Sequence, residues 1–160
     1  MANGMAEVIK MSVSLDAELF RKIENGADIL EIIEGALKIK KIVVEGDERE
    51  SGLRRVLNLG HTLGQAIEAT DGSLHHGECV AIGMMAVCSD EVKTRLVPLL
   101  KKSGLPTEYK GDMKSVVSKI ALDKKSDGDE IYIIYVDEVG SYRIQKQGIG
   151  DFILSCEERI

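Results

Sequence analysis

Leu53-Arg54-Arg55-Val56-Leu57-Asn58-Leu59-Gly60-His61-Thr62-Leu63-Gly64-Gln65-Ala66-Ile67-Glu68-Ala69 is the stretch on which the fold turns. Placed on a helix, Arg54, Asn58, His61, Gln65 and Glu68 recur at steps of four, three, four and three and share one face. Val56, Leu59, Leu63, Ala66 and Ile67 occupy the opposite side and supply an apolar face for a core. A solvated face favours Lys and Glu. This one carries a cation, two amides, an imidazole and a carboxylate, a mixture suited to holding oxygens and a metal ion. Gly60 and Gly64 each cost about 1 kcal/mol in helix propensity relative to alanine, and their missing side chains let another backbone come close.

The pattern on either side is also helical. Met5 to Val13 and Asp16 to Glu24 read as short helices, the second stopped by Asn25-Gly26. Ala27 to Val44 reads as a long amphipathic helix with Ile29, Leu30, Ile33, Leu37 and Val44 at helical spacing, followed by a polar connector from Glu45 to Gly52. Downstream, Asp71-Gly72 stops the Leu53–Ala69 helix. Gly77 to Lys102 continues the period, with Pro98 expected to kink or divide it, and Gly104-Leu105-Pro106 is a break. A helix is expected from Met113 to Leu122 and a hydrophilic loop from Asp123 to Glu130. Ile131 to Val136 and Ser141 to Gln145 are β-prone and joined by Asp137-Glu138-Val139-Gly140, which makes a hairpin, and Gly150 to Cys156 reads as a last short helix. The fold class expected is mainly α: a multi-helical array with a small antiparallel β-hairpin near the C-terminus, forming a single domain over residues 1–160.

Composition narrows the function. The chain has 160 residues with 30% charged and 44% hydrophobic side chains, a globular composition of one-domain size. Its 21 Lys plus Arg against 27 Asp plus Glu give a net charge of -6, which argues against nucleic acid as a partner. No run approaches the roughly 18 apolar residues of a membrane helix, and the N-terminus lacks the basic-then-apolar pattern of a secretory signal, so a cytoplasmic location is expected. The 3 cysteines, with no C-x-x-C, suggest neither a disulfide framework nor a thiolate zinc site.

All 3 histidines lie between His61 and His76. Two imidazoles from adjacent helices and one carboxylate would make the three-ligand protein set of a catalytic zinc site. Close to these histidines, Glu68 and Glu78 are candidate carboxylates. Glu7, which shares a helix face with Lys10, is another, although an i,i+3 pair of that kind is commonly a surface ion pair. Lys38, Lys40 and Lys41 form a basic patch of the sort a solvated helix end also produces.

Five segments, Gly4-Met5-Ala6-Glu7-Val8-Ile9-Lys10, Asp47-Glu48-Arg49-Glu50-Ser51-Gly52-Leu53-Arg54, Leu57-Asn58-Leu59-Gly60-His61-Thr62, His76-Gly77-Glu78-Cys79-Val80-Ala81-Ile82-Gly83-Met84 and Leu122-Asp123-Lys124-Lys125, stand in one order along the chain. In content and order they resemble the C-terminal helical domain of 3-dehydroquinate synthase. The resemblance implies a zinc ion, or another divalent metal such as cobalt, held by Glu7, His61 and His76. It selects His76 over His75 because His76 directly precedes the Gly-Glu pair. It further implies that Lys10, Lys40, Arg54 and Asn58 face a sugar phosphate, that Lys124 or Lys125 adds a phosphate contact, and that Glu50 stabilises the site. Where the family usually has Gly-His-Thr-Phe-Gly-His, this chain has Gly60-His61-Thr62-Leu63-Gly64-Gln65. Gln65 thus replaces a histidine implied to contact the phosphate, and glutamine can hydrogen-bond but cannot carry a proton at neutral pH.

The activity implied is conversion of 3-deoxy-D-arabino-heptulosonate 7-phosphate to 3-dehydroquinate and phosphate, in the shikimate route to aromatic amino acids. NAD serves as cofactor in the complete enzyme. No Gly-x-Gly-x-x-Gly follows a strand here, so the expectation is the metal- and substrate-binding half without the NAD-binding α/β domain. Such a half does not turn over alone, and it self-associates or pairs with a separate NAD-binding domain. The alternatives are another sugar-phosphate cyclase, a non-catalytic helical binding domain descended from the enzyme, and, more distantly, the helical half of a metal-dependent alcohol dehydrogenase.

Overall fold

A computed structural model describes residues 2–47, 52–124 and 130–160. Glu50 and Lys125, both expected at the site, lie outside the described residues, and so does the side chain of Lys124, whose backbone ends a helix.

The N-terminal third is three helices, α1 (Ala2–Leu15), α2 (Ala17–Glu24) and α3 (Ile29–Gly46). Aspartates set two of the starts. The Leu19 amide donates to Asp16 Oδ1 at 2.9 Å and the Leu30 amide to Asp28 Oδ1 at 2.8 Å, which satisfies helix N–H groups that have no partner within the helix. Gly26 turns the chain between α2 and α3 with φ +74°. The face that α3 buries corrects the one expected. Ile32, Ala36, Ile39 and Val43 enter the core, while Leu30 and Leu37 are 67% and 60% exposed and Ile29 and Ile33 are exposed beside them. The helix carries two apolar stripes, and the small residues decide between them: a Cβ on Gly35 would meet Leu19 Cδ1 at 2.8 Å, so α2 packs on the Gly35–Ala36 side.

The deciding stretch is not one helix. Leu53–Asn58 is a 3-10 helix, Leu59-Gly60 turns, and α4 runs from His61 to Thr70. Two local causes account for the difference. Asp47, buried at 8% exposure, accepts from the amides of Gly52 at 2.6 Å and Arg54 at 3.1 Å and ties down the entry to the 3-10 turn. Gly60 has φ +73°, a left-handed conformation that a continuous helix excludes and that glycine adopts without steric cost.

Gly77–Lys102 also divides, though not at Pro98, which lies within α6 (Asp90–Lys102). The break is at Cys88-Ser89, between α5 (His76–Val87) and α6. There the Ser89 amide donates to Val136 O at 2.9 Å, the Val136 amide donates to Val87 O at 3.1 Å, and Ser89 Oγ caps α6 through the Val92 amide. α5 is the central helix: Gly77 and Cys79 to Val87 are all buried. The remainder comprises α7 (Met113–Lys124), the antiparallel hairpin β1 (Glu130–Tyr135) and β2 (Arg143–Gly148), and α8 (Ile149–Arg159). The hairpin register pairs Ile133 with Gln145, and α8 buries Phe152 and Cys156 against the shared core. The architecture is the helical array with a C-terminal hairpin that the sequence predicts. Among the described residues no helix is long and apolar enough to cross a membrane.

Candidate metal centre

Glu7, His61 and His76 belong to three different helices, and glycines bring those helices together. A Cβ on Gly83 of α5 would lie 2.0 Å from the Gly60 carbonyl oxygen, and one on Gly64 of α4 would lie 3.0 Å from Cys79 O. Backbone therefore rests on backbone between α4 and α5. Gly77, next to His76, performs the same service toward α1, since its Cβ would meet Asn3 Cα at 2.6 Å. The three side chains meet at this junction, with one potential ligand atom from each within 4.8 Å of the others.

The hydrogen bonds fix which atoms face inward. His61 Nδ1 lies 3.2 Å from Leu59 O and His76 Nδ1 lies 2.8 Å from Glu68 Oε2. Both neighbours are acceptors, so in the neutral rings each Nδ1 carries the proton and each Nε2 keeps its lone pair. Those two Nε2 atoms lie 4.0 and 3.9 Å from Glu7 Oε1, and the rings stand nearly edge to face with centroids 5.4 Å apart. Glu7 Oε1 is itself buried and makes no hydrogen bond. Three lone-pair atoms thus converge with no donor among them. A buried, unsatisfied carboxylate oxygen is costly unless a cation completes it. Two neutral imidazoles and a carboxylate form a donor set that suits zinc or cobalt, and a carboxylate behind a ligating histidine is the usual outer partner. The residues present fit a divalent cation.

Electrostatics favour the same state. Burial, reinforced by the Lys10 ammonium, holds the His61 pKa below its ordinary value and keeps the ring neutral. Lys10 is 2% exposed and donates to Glu7 Oε2 at 2.7 Å, so the carboxylate is anchored by one oxygen and presents the other. Burial lowers the Lys10 pKa, opposed by Glu7. The thiols take no part: burial pushes Cys79 to about 11 and Cys88 and Cys156 to about 12, which leaves them protonated.

Two clefts flank the junction and share His61 and Asn58. The first, of about 330 Å³, brings Lys10 of α1, Lys40 of α3 and Arg54 of the 3-10 helix around Glu7. The second, of about 390 Å³, is lined by Gln65, Arg55 and the β1 residues Glu130 and Tyr132. The structure therefore gathers Glu7, Lys10, Lys40, Arg54, Asn58, His61 and His76 and places Gln65 on the far side of His61. His75 stands outside the cluster, its amide donating to Glu78 Oε2 at 2.7 Å. Glu78 caps its helix, and Glu68 orients His76. The sequence reading offers both as candidate ligands, with Glu68 also on the polar stripe, and it assigns nothing to Leu59 O, a backbone atom that leaves no mark in side-chain chemistry.

Comparison with known proteins follows these residues. The family model described as 3-dehydroquinate synthase C-terminal matches residues 4–126. The 3-dehydroquinate synthase of Methylacidiphilum infernorum is 41% identical over 170 residues, covering 94% of this chain and 47% of the relative, and that of Wolinella succinogenes is 35% identical over 172 residues, covering 97% and 50%. The chain spans about half the length of the curated relatives it matches. Among solved structures, 2-epi-5-epi-valiolone synthase from Streptomyces hygroscopicus subsp. jinggangensis, with NAD+ and Zn2+ bound, superposes with a TM-score of 0.79 at 22% identity, over 99% of this chain and 51% of that one. A 2-deoxy-scyllo-inosose synthase complexed with carbaglucose-6-phosphate, NAD+ and Co2+ gives the same TM-score of 0.79 and 22% identity over the same shares. Identities at that level speak to the fold.

Proposed function

The chain belongs to the 3-dehydroquinate synthase C-terminal family, and on that premise we propose that it is the metal- and substrate-binding half of an enzyme converting 3-deoxy-D-arabino-heptulosonate 7-phosphate to 3-dehydroquinate and phosphate. The observation that carries this reading is the convergence of Glu7 Oε1 with the Nε2 atoms of His61 and His76 beside a cleft lined by Lys10, Lys40 and Arg54. Relatives at 35 to 41% identity favour the dehydroquinate branch over the cyclases matched at 22%.

In this reading Glu7, His61 and His76 hold zinc or cobalt. Bound there, the ion acts as a Lewis acid that orients and acidifies a substrate hydroxyl. The chain's own groups do the rest. Lys10 fixes Glu7, and Glu68 and Leu59 O fix the two rings, so the site is organised before substrate arrives. Lys40 and Arg54 bind and orient the substrate's anionic groups, Arg54 through a planar fork that matches a carboxylate. Asn58, between the clefts, hydrogen-bonds substrate oxygens from either side. The hydride chemistry belongs to NAD and to a nucleotide-binding half outside these residues, on the same longer chain or on a partner. Lys124 or Lys125 adds a phosphate contact in this reading, and Glu50 stabilises the site.

Calorimetry of the zinc-loaded chain tests the reading. Heptulosonate 7-phosphate is expected to bind in preference to carbaglucose-6-phosphate, with affinity reduced about tenfold in Arg54→Ala. No dehydroquinate is expected when NAD is added to the chain alone. Preference for carbaglucose-6-phosphate would shift the proposal to another sugar-phosphate cyclase. Binding of neither sugar phosphate would leave a helical domain without the enzyme's site.

A further inference from the structure

The second cleft contains a cation that the reading above does not use. Arg55, beside Arg54 on the 3-10 helix, stacks its guanidinium 4.2 Å from the centroid of the Tyr132 ring on β1 and lines the same cleft as Gln65, Asn58 and His61. The acidic side chain of that cleft does not neutralise it: Glu130 pairs with Lys146 at 2.5 Å, and among the described residues Arg55 makes no ion pair. Stacking occupies the face of a guanidinium, whereas its five N–H groups lie in the plane and remain available as a fork. The amides of Asn58 and Gln65, donors without charge, line the same cleft. An unneutralised guanidinium and two amides in a cleft of about 390 Å³ that adjoins a metal ligand make a receptor for a small tetrahedral dianion.

We propose that Arg55 is a phosphate-recognition residue of this site, its guanidinium held by Tyr132 and aided by the Gln65 amide. This deepens the reading under Proposed function and rests on it: the first cleft's Lys10, Lys40 and Arg54 take one end of the sugar phosphate, and Arg55 takes the phosphoryl end on the other side of His61. It also gives Gln65 a place. A neutral amide cannot supply charge to a phosphate, and here the adjacent guanidinium supplies it.

The test is a titration of the chain with inorganic phosphate in the presence of a chelator, so that no metal phosphate forms, followed by ¹H–¹⁵N spectra that resolve the arginine Nε–H and the glutamine amide. Saturable shifts are expected at Arg55 and Gln65. Arg55→Ala is expected to weaken phosphate about tenfold with an unchanged melting temperature, and Arg55→Lys, which keeps the charge without the fork, to weaken it less. An affinity unaltered in Arg55→Ala, or shifts confined to Lys10, Lys40 and Arg54, would overturn the proposal. Cobalt titration of the same proteins, freed of chelator and phosphate, separates its failure from that of the parent reading. Phosphate bound at Arg55 in a chain that takes no cobalt would refute the metal site and keep Arg55, whereas cobalt binding with phosphate indifferent to Arg55 would do the reverse.

Discussion

His61 does two jobs that its surroundings make compatible: its Nδ1–H donates to Leu59 O while its Nε2 faces Glu7. Neutrality is the condition for the second, since an imidazolium Nε2 carries a proton and offers no lone pair. Because burial and Lys10 lower its pKa in the folded protein, the unfolded chain takes up the proton first as pH falls. The unfolded state binds more protons in the window between the two values, so stability is complete above the ordinary imidazole pKa and declines as pH drops through it. In chelator, the urea midpoint is expected to fall between about pH 7.5 and pH 5.5, and His61→Asn is expected to flatten that slope. Parallel slopes for the two proteins would place the titration elsewhere. At this scale the two imidazoles that converge were legible, because the chain has only 3 histidines, whereas Glu7 is one of 27 acidic residues and was picked out by the family resemblance. The roles of Glu68 and Lys10 were less legible. Each could be seen as a site-face residue, but that Glu68 serves His76 and that Lys10 is buried against Glu7 depends on which helices meet.

Helices α4 and α5 approach so closely only because Gly60 and Gly83 present no side chains to each other. A methyl group at residue 83 would meet the Gly60 carbonyl, and backbone cannot yield as a flexible side chain does. Gly83→Ala is therefore expected to cost about 3 kcal/mol and to weaken metal binding by moving His61 away from His76. Gly72→Ala, with nothing within 4 Å of the new Cβ, should change stability by less than about 0.5 kcal/mol. Equal denaturation midpoints for these two variants would remove the close approach from the explanation. The sequence pattern showed that the glycines at 60 and 64 admit a neighbouring backbone, yet it merged the 3-10 turn and α4 into one helix. Periodicity alone could not separate them, since the stripe through Arg54, Asn58 and His61 keeps helical spacing across Gly60, and the left-handed φ there is a property of the backbone. The break at Cys88-Ser89 was missed for a different reason. It is paired to Val136, 48 residues away from Cys88, which no local pattern reveals. On α3 the outward stripe of Ile29, Leu30, Ile33 and Leu37 is as apolar as the inward one, and only Gly35 and its contact with Leu19 decide which is buried.

As a whole the molecule joins a single continuous core to a site at its surface, where α1, α4 and α5 converge and two clefts open on either side of one imidazole. The three candidate ligands are residues 7, 61 and 76, so an ion held among them would tie the N-terminal helix to the central pair. Such an ion stabilises the folded form because the unfolded chain has no preformed site. The central claim is that Glu7, His61 and His76 together hold one divalent cation, and a cobalt titration of the metal-free chain read by its visible absorption tests it most directly. About one equivalent per chain is expected, with the bands of a low-coordinate nitrogen and oxygen site, and with both stoichiometry and bands lost in His76→Ala and in Glu7→Gln. No cobalt uptake by the unaltered chain, or the same uptake and spectrum in both variants, would contradict the account.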